Sequence, residues 1–128
     1  MNAGDTFRIP QPGTSLDSHL WVVISDPALD PDKILIVNFT TSRADSDKAC
    51  VLQAGEHPFV KHETCVNYAG AKVVSKAILD LLLNKGLLSA HAAVAAALLQ
   101  RIRDGAANST RMSLDHADIL IDQGIINC

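Results

Sequence analysis

The 128-residue chain reads as an α+β protein: a small curled antiparallel β-sheet or barrel of five or six strands, followed by two or three C-terminal helices. Three observations predict this. Before Ser75 the apolar residues fall in short β-rich runs separated by Pro, Gly and Asp. After Ser75 they recur at helical spacing. The composition, 48% hydrophobic and 20% charged, is that of a chain able to bury a core. At this length one domain is expected, residues 1–74 forming the β part and residues 75–128 a helical part packed on it.

Gly4-Asp5 opens a first strand, Thr6-Phe7-Arg8-Ile9 alternates, and Pro10 with Pro12-Gly13 supplies the turn that ends it. His19-Leu20-Trp21-Val22-Val23-Ile24-Ser25 is a nearly continuous apolar run, suited to a strand covered on both faces. Asp26-Pro27 stops it, and residues 26–33, with two prolines and three aspartates, form a loop. Residues 34–41, ILIVNFTT, resume as a second central strand, the antiparallel partner of the first. Residues 42–48 are polar and carry both charges, as an exposed loop does, and Cys50-Val51-Leu52 is a short strand. Residues 64–68 and 72–74 have strand composition, with Ala69-Gly70 separating them.

The period changes at Ser75, an N-cap residue, after which Ile78, Leu79, Leu82 and Leu83 mark one helix face and Asn84-Lys85-Gly86 closes it. This helix should lie across an open face of the sheet. Ser89 is expected to cap a second helix running to about Asp104, with Gly105 beyond its end and Val94, Leu98 and Ile102 as its stripe. Its many alanines permit close approach to a neighbouring element, a second subunit included. Ser113 caps a third helix whose Leu114, Ala117, Leu120 and Ile121 face one way before Gly124.

The formal charge is −3, and nine of the 14 acidic residues but only six of the 11 basic ones precede Ser75. That excludes a protein that coats nucleic acid by bulk charge; an RNA or DNA contact would need a local basic patch. Cys50, Cys65 and Cys128 are odd in number and lack CxxC spacing, and the N-terminus has no signal-peptide pattern, so reduced thiols in a cytoplasmic protein are expected. The apolar runs are far shorter than the roughly 20 residues of a membrane span.

Chemistry concentrates in residues 55–68, GEHPFVKHETCVNY, which hold two histidines, two glutamates, a lysine, a cysteine and a tyrosine. His57 and His62 are the side chains whose ordinary titration range lies nearest neutral pH, the requirement for giving and taking protons. Two histidines in one loop are also compatible with ordinary polar residues. His91 and His116 look structural.

The order of Gly-Asp opening the first strand, a long loop, His19 before a Val-Val-Ile-Ser strand, an aliphatic strand ending in Thr40-Thr41, a polar loop, short strands and then helix resembles the PemK/MazF-like toxin superfamily. The likeness covers roughly residues 4–85. It implies an SH3-like barrel with appended helices, metal-independent endoribonuclease activity without a cofactor, dimerisation into a homodimer, and an antitoxin protein as partner. His19 stands where the family has a His or other polar residue before Arg-Pro; here Leu20-Trp21 follow. Thr40 and Thr41 match strand-ending threonines, one of which lines the RNA-cleaving site of the family.

Cleavage of RNA without a metal needs a base for the 2′-hydroxyl proton, an acid for the departing 5′-oxygen, and cations for the phosphoryl charge. His57 and His62 are the candidates for the first two roles, with Thr41 in the catalytic set. Arg43, Lys61 and Lys72 are candidates for the third. Thr40, Thr41 and Ser42 offer hydroxyls to a phosphate, His19 is a further substrate-binding candidate by the family match, and Tyr68 or Trp21 would stack a base if exposed; Trp21 within an apolar strand more often belongs to a core. Three other readings compete. Cys50, His57, His62 and Cys65, at spacings of seven, five and three, are zinc-type ligands that match no standard knuckle. Cys65 beside His62 is a conceivable nucleophile pair. A non-catalytic SH3-like binding or regulatory module is favoured by the acidic balance and the missing arginine.

Overall fold

The computed structural model describes residues 1–9 and 19–127. Its elements are β1 (Thr6–Arg8), β2 (Leu20–Val23), β3 (Ile34–Thr41), β4 (Val51–Leu52), β5 (Thr64–Val74), α1 (Lys76–Asn84), β6 (Ser89–His91), α2 (Ala96–Asn108) and α3 (Leu114–Asp122). The expected turn at Pro10 and Pro12-Gly13, and the thiol of Cys128, lie outside the described residues. The six strands form one antiparallel sheet in the order β4-β5-β3-β2-β1-β6. The α+β class therefore stands, while the sheet is not closed: no β4–β6 ladder exists among the described residues.

Period-2 alternation in strands that are apolar throughout gives the sheet two buried faces. Leu20 and Val22 of β2, Leu35, Val37 and Phe39 of β3, and Val66 and Tyr68 of β5 face one way. There they meet Leu98, Ile102 and Ala106 of α2 and Leu120 of α3. Phe7, Trp21, Val23, Ile34 and Ile36 face the other way and meet Leu79 of α1. Each such fully buried aliphatic side chain stabilises the fold by about 1.5–3 kcal/mol relative to exposure. Two of the three caps read from the sequence are made: the Ser75 hydroxyl accepts from the Ile78 N–H and the Ser113 hydroxyl from the His116 N–H, each at 3.2 Å. Gly86, at φ +73°, follows α1 in the left-handed region, which a glycine enters without steric cost. Leu114 is not on the packed face of α3; it is 81% exposed.

Three sequence expectations are corrected. Ser89 does not cap a helix: Ser89-Ala90-His91 pairs with β1, and α2 begins only at Ala96. The β1 edge offers backbone partners that outweigh the helix preference of the following alanines. Gly105 is inside α2, not beyond it; the glycine is there for packing and does not end the helix, since a Cβ would lie 2.2 Å from the Tyr68 hydroxyl and 2.8 Å from Cys50 Cβ. The two segments either side of Ala69-Gly70 are one strand carrying a large bulge. Ile36 pairs with Lys72 and Asn38 with Asn67, so Val37 alone faces the four β5 residues from Tyr68 to Ala71.

Candidate functional site

The loop after β4 is a tight, self-bonded turn. Gln53 N–H donates to the Glu56 carboxylate at 2.7 Å, Gly55 N–H to the Val60 carbonyl at 2.9 Å, and Val60 N–H to the His57 carbonyl at 2.9 Å. His57 is turned into the protein and only 4% exposed. Its Nδ1 accepts from the Phe59 N–H at 3.1 Å and its Nε2 donates to the Ala92 carbonyl at 2.7 Å, a residue just past β6. Thr6 Oγ1 donates to the same carbonyl at 2.7 Å. Next to this joint the Phe59 ring meets His91 edge-on at 6.2 Å, with the Arg8 guanidinium 5.6 Å from the Phe59 ring centre. His57 thus joins the β4–β5 side of the sheet to the β6 side, and both its nitrogens are committed to backbone.

His62, five residues on, is exposed at the end where β3 stops and β5 starts. Its Nε2 shares a 3.0 Å hydrogen bond with Thr41 Oγ1, the last residue of β3. Ladder geometry brings them together: Thr41 pairs with Thr64, and Ser42 N–H donates to the Glu63 carbonyl at 3.1 Å. Ser42 Oγ accepts from the Lys48 ammonium at 2.5 Å, which also donates to the Arg43 carbonyl at 2.7 Å. The Ser42 hydroxyl beside Glu63, then the Gln53 side chain and the Lys48 charge, hold the Glu63 carboxyl below the usual glutamate range. An imidazole, two hydroxyls, a carboxylate and an ammonium therefore share one exposed patch. Arg43 and Lys61, both exposed, flank it in sequence. Lys48 escaped notice in the sequence because a loop lysine in a mixed-charge run carries no spacing signal.

The remaining candidates scatter. Thr40 pairs with Cys65 one step along the strand from Thr41. Lys72 pairs with Ile36, five residues and roughly 16 Å along the strand from Thr41, and its ammonium lies 5.9 Å from the Trp21 ring centre. Tyr68 does not reach solvent: it is fully buried and its hydroxyl donates to the Ile102 carbonyl at 2.6 Å. Burial, and the neighbouring Cys50, push its phenol far above the ordinary tyrosine range. Trp21 is core, as its apolar neighbours indicated. His19 is exposed, and its Nδ1 donates to the Phe39 carbonyl at 3.0 Å.

Cys50 and Cys65 are buried free thiols, and burial pushes the Cys50 thiol up, away from thiolate. The zinc-type set does not converge: among the described residues no group of three or more His, Cys, Asp or Glu side chains is placed to hold one ion.

Among the described residues, a polar pocket and a wider cleft border the sheet. The polar pocket, of about 260 Å³, is lined by Thr40, Cys65 and Asn67 from the strands and by Asp45, Ser46 and Arg111 from the loops. The wider cleft, about 1000 Å³, lies between residues 29–33 and α3. Asp30, Asp115, Asp118 and Asp122 oppose Lys33 there, so it repels a phosphate chain and lies apart from the His62 patch. No helix among the described residues is long and apolar enough to cross a membrane. No family model, curated protein or solved structure matches the chain.

Proposed function

We propose that the chain is a toxin-like, metal-independent endoribonuclease whose working residues are His62 and Thr41. The 3.0 Å contact between His62 Nε2 and Thr41 Oγ1 on an exposed sheet end carries this reading. A substrate 2′-hydroxyl that displaces the Thr41 hydroxyl meets an imidazole already aimed at a hydroxyl proton. His62 takes that proton, the 2′-oxygen bonds to phosphorus, and the bond from phosphorus to the 5′-oxygen breaks. The proton passes from His62 to the departing oxygen, leaving a 2′,3′-cyclic phosphate and a 5′-hydroxyl. Lys48, with Arg43 and Lys61 flanking, supplies positive charge to the phosphoryl oxygens, and Ser42 orients Lys48.

On this reading the open sheet is an SH3-like barrel whose remaining gap is bridged by side chains; the His57–Ala92 bond and the Phe59–His91 contact across its edges support that. RNA, an antitoxin protein and a second copy of the chain are the partners it implies. Purified protein incubated with a mixed-sequence RNA in a chelator should give fragments ending in 2′,3′-cyclic phosphate, and His62→Ala should stop this while leaving the fold intact. Undiminished cleavage by His62→Ala would sink the assignment.

One observation favours the second reading, a non-catalytic binding module: with His57 committed to the core, the patch retains a single imidazole from the pair. Binding of RNA without any cut, in chelator and in added divalent metal alike, would decide for that module.

A further inference from the structure

The polar pocket lined by Thr40, Asn67, Asp45 and Arg111 plays no part in the chemistry above; it lies at the same end of β3 as Thr41, but the side chains of Thr40 and Thr41 leave opposite faces of the sheet. At about 260 Å³ it is smaller than the roughly 300–1,000 Å³ of sites for drug-sized molecules, and its lining is mainly polar. Its walls are fixed from several sides. Arg111 donates to the Asp45 carbonyl at 2.9 Å, and its N–H donates to Ser109 Oγ at 3.1 Å. Ser109 Oγ in turn donates to Asp47 at 2.6 Å, and the other Asp47 oxygen accepts from the Ala49 N–H at 2.9 Å.

Asp47 is therefore occupied internally, whereas the Asp45 carboxylate has no hydrogen bond among the described residues. On the strand side Asn67 Oδ1 accepts from the Gly70 N–H at 3.2 Å within the β5 bulge, which leaves the amide NH2 as donor. A Cβ at Gly70 would come within 2.5 Å of Asn67 Nδ2, so the glycine makes room for this side chain. Asn38, the register partner of Asn67, is only 6% exposed, and its Oδ1 is a buried acceptor with no partner among the described residues. A polar ladder, Asn38/Asn67 and then Thr40/Cys65, thus runs along one sheet face to the pocket.

Donors at Arg111 and Asn67 that line the same pocket as the exposed Asp45 carboxylate do not suit a phosphate, which the carboxylate repels. They suit a flat group with a carbonyl beside N–H donors. Among nucleobases, the Watson–Crick edge of guanine has that order: O6 accepts, and N1–H and N2–H2 donate. We infer that this pocket reads a guanine base of the RNA, with Arg111 on O6 and the Asp45 carboxylate on N1–H and N2–H2, the strand passing around the end of β3 from the phosphate handled by His62 and Thr41 on the other face of the sheet. The inference rests on the ribonuclease reading and names the substrate preference of that site.

The test is a calorimetric titration of the full chain with 5′-GMP, 5′-IMP, 5′-AMP, 5′-CMP and 5′-UMP. GMP should bind about ten-fold more tightly than AMP or UMP, the discrimination typical of one good base contact. IMP, which lacks the 2-amino group, should fall between. Asp45→Asn should erase the gap between GMP and IMP, since the backbone carbonyl that holds Arg111 is untouched. Arg111→Gln should weaken GMP about ten-fold with an unchanged circular dichroism spectrum. Equal affinity for all five nucleotides, binding of none, or a GMP preference that survives both substitutions would overturn the subsite. A GMP preference in a protein that leaves RNA uncut would keep the subsite and remove the nuclease. Cleavage indifferent to guanine, in wild type and Asp45→Asn alike, would do the reverse.

Discussion

His57 and His62 stand in one loop, and the fold gives them opposite tasks. The first has an aromatic and backbone environment and a hydrogen bond on each ring nitrogen; it joins two edges of the sheet. The second lies in solvent beside a threonine hydroxyl, a lysine and a glutamate. The pair as written in the sequence looks like an acid and a base waiting to be brought together. The difference teaches that residue type sets what a side chain can do, whereas burial and committed bonds set whether it is available to do it.

Separating the two histidines by mutation breaks or sharpens that comparison, and the largest effect should be on cleavage. His62→Ala should lower the RNA-cleavage rate by about 100-fold or more, the usual contribution of a positioned proton-transfer group. It should also shift stability by no more than about 0.5 kcal/mol, as exposed substitutions do. His57→Ala should leave the rate per folded molecule within a few-fold of wild type, measured under conditions where the variant is folded. If the two variants lose cleavage equally while both stay folded, the contrast fails.

Stability should show the opposite order. His57→Ala deletes a buried ring and leaves the Phe59 N–H without its acceptor, so urea unfolding should show a loss of about 2–4 kcal/mol. The Ala92 carbonyl keeps its bond from Thr6, which limits the damage. An effect as small as that of His62→Ala would mean that the joint contributes little to the fold.

The core behind the joint offers a somewhat smaller test. Gly105→Ala places a methyl 2.2 Å from the Tyr68 hydroxyl, and it should cost about 1–3 kcal/mol in urea unfolding although alanine is the better helix former. A stabilising outcome would show that α2 can move away from β5 freely.

The smallest effect concerns pH, with one carboxylate on each side of the comparison. Glu56 is held below the ordinary glutamate value of 4.5 first by its hydrogen bond from Arg101, and Glu63 first by its hydrogen bond from Ser42. Groups whose folded values are depressed bind fewer protons when folded than when unfolded. Their stabilisation is therefore complete above 4.5 and fades as the pH falls through the lower folded values. Urea midpoints measured from pH 6 down to pH 3 should decline, and Glu56→Gln with Glu63→Gln should make that decline shallower. Both groups are screened by solvent, so the change should be modest. An unchanged acid limb in the double variant would remove these contacts from the account of stability.

Much of the fold was legible from local signals. The caps at Ser75 and Ser113, the antiparallel pairing of β2 with β3, and the burial of Trp21 follow from residue type and period, which act over a few residues. Ser89-Ala90-His91 was misread because its partner is β1, more than 80 positions earlier, and no local preference encodes that pairing. The candidate site divided in the same way. Thr41 and His62 were named from their chemistry, but Lys48 and Arg111 reach their pockets through turns, and Tyr68 was lost to the core through contact with α2.

By itself the sequence determined the class of the protein, its element types and the concentration of titratable groups in residues 55–68, because composition and periodicity act locally. Only the tertiary structure decided that the ladders of the described residues leave the sheet open, that β1 takes β6 as its edge partner, and that of two histidines one is a joint and the other a surface group. Those outcomes depend on which distant backbone groups need partners and which side chains fit beneath α2. Both are long-range matters of hydrogen-bond satisfaction and packing, and no stretch of chain carries them alone.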